Sequence, residues 1–140
     1  MEALYTAKVT AEGGRNGRVV SSDGVIDLEV KMPKGLGGPG GEATNPEQLF
    51  AAGYAACFDG ALNLVIRKKR LKEVESTKVT ANVSIGKDTD GGFALAVQLD
   101  VQIIGADKNT AQELLEAAHQ VCPYSKATRG NIDVVLHVVE

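Results

Sequence analysis

At 140 residues, with 44% apolar and 24% charged side chains, the chain has the composition of a single folded unit with its own core. A formal net charge of −3 is too small to steer polyanions, and the one dense basic run, Arg67 to Arg70, reads as the solvated end of a helix, so no nucleic-acid partner is expected. The N-terminal MEALYTAKVT lacks the pattern of a secretory signal and no stretch reaches the ~20 apolar residues of a membrane span, so the expected location is the cytoplasm, with no membrane partner.

The β-branched content of Leu4 to Thr10 and of Arg18 to Ser21 predicts two strands, joined by the turn GGRNG, whose Asn16-Gly17 is a hairpin signal and which carries Arg15. Val25 to Met32 alternates as a third strand. KGLGGPGGEAT, with five glycines and a proline, has no periodicity and reads as a loop. Its Gly35, Gly37 and Gly40 satisfy GxGxxG, but Pro39 interrupts the pattern and no βαβ unit follows, so no dinucleotide is expected there.

Asn45-Pro46-Glu47-Gln48 announces a helix: Asn45 can cap, Pro46 fits the first helical position and Gln48 can close a capping box. The helix is predicted to run to about Lys69, with Leu49, Phe50, Gly53, Ala56, Cys57, Gly60, Ala61 and Leu64 on one stripe and Cys57 in its middle. Val79 to Ile85 and Phe93 to Ile103 read as strands around a DTDGG turn. A second helix from about Thr110 to Val121 offers Ala111, Leu114, Leu115, Ala118 and Cys122 on one side before Pro123 stops it, and Ile132 to Val138 forms a last strand. The fold class is α+β, two main helices on antiparallel sheet.

Two cysteines with 64 residues between them make neither a disulfide framework nor a CxxC motif, and two inert buried thiols are one reading of them. Both fall on the apolar stripes of the two helices, however, and such stripes pack together in a small domain. A structural disulfide closing so long a loop would contribute ~4 kcal/mol, yet a reducing cytoplasm would open it, which leaves a reversible, working disulfide or none. Cys122, at a helix C-terminus where the dipole disfavours a thiolate, suits a resolving position. Cys57 lies mid-helix, about 15 Å along the axis from Arg67 and Lys68, so an activating cation must come from elsewhere. Arg15 is a candidate, although a plain surface arginine is the commoner outcome for such a residue; Glu47 has its own plain reading as an acid favoured at a helix N-terminus.

Two further chemistries are weaker. His119 and Cys122, three apart, could join Cys57 as zinc ligands, but a fourth ligand is lacking, and His137 is expected to point away from the core. No metal is therefore expected. Asp59, two positions after Cys57, is rotated about 200° from it and should leave the cysteine chemistry intact while a local contact or substrate preference depends on it.

The segments NPEQLFAAGYAACF and HQVCPYSKATRGNIDV, together with GGRNGR and LGGPGGEATNP, resemble the organic hydroperoxide resistance branch of the Ohr/OsmC family over nearly the whole chain. That resemblance implies an OsmC-like fold, an intertwined homodimer with active sites at the subunit interface, and thiol-dependent reduction of alkyl and fatty-acid hydroperoxides to alcohols without a cofactor. It implies Cys57 as the peroxidatic thiolate, Cys122 as the resolving thiol, Arg15 as the guanidinium beside the peroxidatic sulfur and Glu47 as its carboxylate partner. The implied reductants are lipoyl groups and lipoamide dehydrogenase. Since Glu47 and Cys57 stand ten residues apart on one predicted helix, about 15 Å along its axis, Glu47 and Arg15 must reach Cys57 from a partner subunit unless that helix is broken. A non-enzymatic apolar-ligand carrier or a redox sensor on the same fold is the alternative.

Overall fold

A computed structural model describes residues 1–140. Contacts divide the chain into two compact units, 1–49 and 50–140.

The first unit is a three-stranded antiparallel sheet of β1 (Val9–Glu12), β2 (Gly17–Ser21) and β3 (Asp27–Val30). The first strand starts later than its β-branched pattern predicts, and Leu4 and Tyr5 lie outside it, 99% and 83% exposed. Between β1 and β2 the chain makes a single 3-10 turn, Gly14–Asn16, rather than a two-residue hairpin loop. Gly17 is required at the entry to β2, because a Cβ there would stand 1.8 Å from the Glu12 carbonyl oxygen. The glycine-rich segment is a loop containing one more 3-10 turn, Lys34–Leu36, and its end is tied back to β3 by the Lys31 N–H to Thr44 O bond (3.0 Å) and the Thr44 N–H to Glu29 O bond (3.0 Å). In this unit only Val30 is fully buried.

α1 (Pro46–Lys68) runs unbroken. The Asn45 side chain caps it by accepting from the Gln48 N–H at 2.8 Å, but the Gln48 side chain meets the Thr44 hydroxyl (3.0 Å) instead of completing the box. By length and composition α1 would pass as a membrane span, although polar residues such as Asp59 and Asn63 interrupt its apolar run. Tyr54, Phe58 and Leu62 are wholly buried, as in the core helix of a globular protein.

The second unit sets α1 and α2 (Lys108–Val121) on the sheet β4 (Ser76–Lys87), β5 (Phe93–Ile104) and β6 (Val134–Val139). Strict alternation puts Val97, Leu99, Val101 and Ile103 of β5 into the core, opposite Ala111, Leu114, Leu115 and Ala118 of α2. The sheet is not antiparallel throughout. β4 and β5 form an antiparallel hairpin, whereas β6 pairs parallel to β5, since the connection between them crosses over through α2 and α3 (Pro123–Thr128).

The buried stripe of α1 is rotated from the predicted one. Tyr54, Phe58, Ala61, Leu62, Val65 and Ile66 face the core, Ala56 and Gly60 are exposed, and Cys57 sits half-buried at the edge. Spacing alone favoured the small residues, but the larger side chains remove more area from water and take the interior.

Candidate active site

The structure pairs the four residues singled out from the sequence two by two. In the first unit the Arg15 guanidinium grips Glu47 at two points, Nη1 to Oε2 at 3.0 Å and Nη2 to Oε1 at 2.9 Å. Arg15 comes from the 3-10 turn between β1 and β2, and Glu47 from the first turn of α1. The fork matches the carboxylate geometrically, so the pair is more than a contact of opposite charges. Arg15 holds the Glu47 carboxyl below its usual range against the opposing effect of burial.

In the second unit the Cys122 Sγ lies 3.5 Å from the Cys57 Sγ, both as free thiols. Cys122 is fully buried and closes α2, with its N–H bonded to the Ala118 carbonyl at 2.8 Å. It also begins α3, so Pro123 is not only the stop that its place after α2 predicts but the N1 residue of a new helix. The chain thus turns at Cys122, and its sulfur is aimed by a corner between two helices rather than by a helix end alone.

That corner also sets a hydrogen-bond donor against Cys57. Burial pushes the Cys57 thiol above its ordinary range, the Tyr124 backbone N–H acts to lower it, and the neighbouring Cys122 raises it further. The Tyr124 ring packs on α1, with centroids 5.7 Å from Tyr54 and 6.2 Å from Phe50. Gly53 makes this possible, since a Cβ there would stand 2.6 Å from the Tyr124 hydroxyl. Tyr124 further lines a cavity of about 710 Å³ with Phe50, Phe93, Leu95, Pro123 and Ile132. The signal for its placement was present in Cys122-Pro123, where a proline at a first helical position marks a start as readily as a stop.

The His119 Nδ1 is 2.8 Å from the Ser125 hydroxyl. His137 is exposed on the outer face of the sheet and pairs with Asp100 at 3.0 Å. Asp59 accepts from the Thr77 hydroxyl at 2.5 Å and from Asn63 Nδ2 at 3.2 Å, tying α1 to β4. The GxGxxG glycines lie in the loop between β3 and α1.

With an α+β fold of this topology, paired thiols at a helix corner and a forked arginine–glutamate pair, the class is defined by comparison. Residues 38–137 match the model of the OsmC-like protein family, and the chain belongs to that family. It falls in the branch of the organic hydroperoxide resistance proteins. It is 56% identical over 144 residues to organic hydroperoxide resistance protein OhrA of Bacillus subtilis, covering 99% of each chain, and 53% identical over 135 residues to the organic hydroperoxide resistance protein of Xanthomonas axonopodis pv. citri, covering 96% of this chain and 94% of that one. Among solved structures, the organic hydroperoxide resistance protein of Elizabethkingia anophelis superposes with a TM-score of 0.93 at 56% identity, covering 100% of this chain and 99% of that one. OhrB of Bacillus subtilis does so with a TM-score of 0.88 at 51% identity, covering 98% and 100%.

Proposed function

We propose that this protein serves in organic hydroperoxide resistance as a cysteine-based peroxidase, reducing alkyl and fatty-acid hydroperoxides to alcohols. The observation that carries the reading is the 3.5 Å separation of two free thiols, one half-buried and one fully buried. A disulfide has its sulfurs about 2.0 Å apart, so closure needs a further approach of about 1.5 Å.

In the reading, the Cys57 thiolate attacks the terminal peroxide oxygen, the O–O bond breaks, and the departing alkoxide takes a proton and leaves as alcohol. The resulting Cys57 sulfenic acid condenses with the Cys122 thiol, releasing water and forming the disulfide, before a second peroxide can carry it to the irreversible sulfinic acid. The apolar cavity beside Tyr124 accepts the hydrocarbon part of the peroxide and favours bulky organic substrates over hydrogen peroxide. No bound cofactor takes part; an external dithiol, of which lipoyl groups with lipoamide dehydrogenase are the proposed source, reopens the disulfide.

A thiol pushed up by burial needs a cation to ionise it at neutral pH. Because α1 is unbroken, Glu47 stays about 15 Å along the axis from the Cys57 of its own helix, and the proposed source of the guanidinium is Arg15 of a partner subunit, oriented by that subunit's own Glu47. An intertwined homodimer of this kind is supported by two surfaces. The first unit leaves Leu4, Tyr5 and Val25 at least 83% exposed, and α1 leaves the small residues Ala52, Ala56 and Gly60 uncovered, a face on which a second helix can approach closely.

The test is stopped-flow oxidation of the reduced protein by cumene hydroperoxide and by hydrogen peroxide, with mass spectrometry of the product. Fast reaction with the organic peroxide and a Cys57 to Cys122 bond are expected. Slow reaction with both peroxides would end the enzymatic reading and leave an apolar-ligand carrier or redox sensor, for which binding without turnover would survive Cys57→Ser.

A further inference from the structure

We propose that Tyr54, Ser125 and His119 form a positioning network that holds the Cys122 corner against Cys57 and so sets how fast the disulfide closes; the inference rests on the peroxidase reading above. Its members bracket the resolving sulfur in sequence and surround its corner in space. His119 stands three residues before Cys122 in the last turn of α2, and Ser125 three residues after it in α3. Their side chains meet at 2.8 Å, from the His119 Nδ1 to the Ser125 Oγ, forming a clasp across the corner. Tyr54 of α1, one helical turn before Cys57, fastens that clasp to the other cysteine's helix, with its hydroxyl 2.9 Å from the Ser125 Oγ and 3.0 Å from the Thr128 Oγ1.

Donors and acceptors balance through the chain. Thr128 Oγ1 donates to the Ser125 carbonyl at 3.3 Å, which leaves the Tyr54 hydroxyl to donate to Thr128. Ser125 then donates to Tyr54 and accepts from the Nδ1–H of His119, whose pKa is lowered by burial with Arg129 nearby. Tyr54 and Ser125 are fully buried, no buried side-chain polar atom in the chain lacks a partner, and the histidine is anchored further by Arg129 Nη1 donating to its carbonyl at 2.8 Å. Four polar side chains in an otherwise apolar core contribute little to stability over hydrophobic replacements, but a fully satisfied network fixes one geometry. The geometry fixed here is that of Cys122, a single non-helical residue (φ −63°, ψ 123°) between two helices, which would otherwise be free to hinge.

The timing of closure decides the fate of Cys57. Its sulfenic acid either condenses with the Cys122 thiol, giving the disulfide and water, or attacks a second hydroperoxide, breaking its O–O bond and giving the sulfinic acid and alcohol. Loosening the corner slows the first route alone and leaves the initial oxidation of Cys57 untouched.

Reduced Tyr54→Phe and Ser125→Ala proteins are mixed with cumene hydroperoxide, closure is followed by stopped flow, and products are identified by intact mass with dimedone trapping of sulfenic acid. The first oxidation is expected to stay within about twofold of wild type while closure slows roughly tenfold, the scale of losing one buried hydrogen bond, with sulfinic acid at Cys57 accumulating under excess peroxide. Ser125→Thr, which restores the hydroxyl, is expected to recover closure. Wild-type closure rates in the folded variants, or an equal slowing of both phases, would overturn the inference. Tyr54→Phe, which deletes a single oxygen, preserves the test if Ser125→Ala does not fold. A wild-type protein that forms neither sulfenic acid nor disulfide would instead fell the peroxidase reading, and this inference with it.

Discussion

Arg15 and Glu47, 32 positions apart in the chain, meet through two nearly equal bonds of 3.0 and 2.9 Å. Because Arg15 depresses the folded-state pKa of Glu47, the stability drawn from the pair is present above the unfolded carboxylate value of about 4.3 and is lost as pH falls through the depressed one. Thermal melts of wild type and Glu47→Gln across this acid range should converge as pH falls, with wild type the more stable above it. Parallel curves would mean that the pair does not contribute through its charge.

The direction of the Cys57 shift gives a second expectation. In a variant carrying Arg15→Ala with Glu47→Gln, the Cys57 thiol should titrate above the ordinary value of about 8.5, as burial dictates. In the wild-type assembly a partner's guanidinium should bring it below that value. Ultraviolet titration of the thiolate in a Cys122→Ser background reads both, and coincident curves would remove arginine from the activation of the sulfur.

Gly53→Ala tests the seat of Tyr124. The added methyl would lie 2.6 Å from the tyrosine hydroxyl and 3.1 Å from two ring carbons, so the ring must move away from α1. Since the same residue's backbone N–H faces Cys57, oxidation by bulky hydroperoxides should slow roughly tenfold, alongside a stability loss of about 1 to 3 kcal/mol. Unchanged kinetics would show that Tyr124 neither shapes the cavity nor supports the sulfur.

Asp59→Ala should behave oppositely. It removes the acceptor for Thr77 and Asn63 and is expected to cost about 1 to 2 kcal/mol in chemical denaturation, with the peroxide reaction preserved. A change in preference among hydroperoxides would instead connect this contact to the substrate.

The sequence disclosed α2 closely: each of its stripe residues Ala111, Leu114, Leu115, Ala118 and Cys122 is buried, because a strong amphipathic pattern leaves one face to choose. α1 was less legible, having apolar residues on several sides, and periodicity assigned Cys57 to the centre of a stripe whose edge it occupies. The shared position of the two thiols followed from their helices packing together. The Tyr54–Ser125–His119 network did not, since contacts such as Tyr54 with Ser125, 71 positions apart, depend on the tertiary meeting of three helices and leave no local pattern. The parallel register of β6 was hidden for a related reason: alternation reports which face a strand buries and is silent on its direction.

That register also bears on biosynthesis. The corner holding Cys122 lies within the crossover that leads from β5 to β6, so its two ends are fastened to the sheet only when β6 has docked alongside β5. As the chain is synthesised, the segment carrying the second sulfur stays tethered to the sheet at its β5 end alone until Val134–Val139 docks. Seating of the two thiols is thus tied to completion of the sheet.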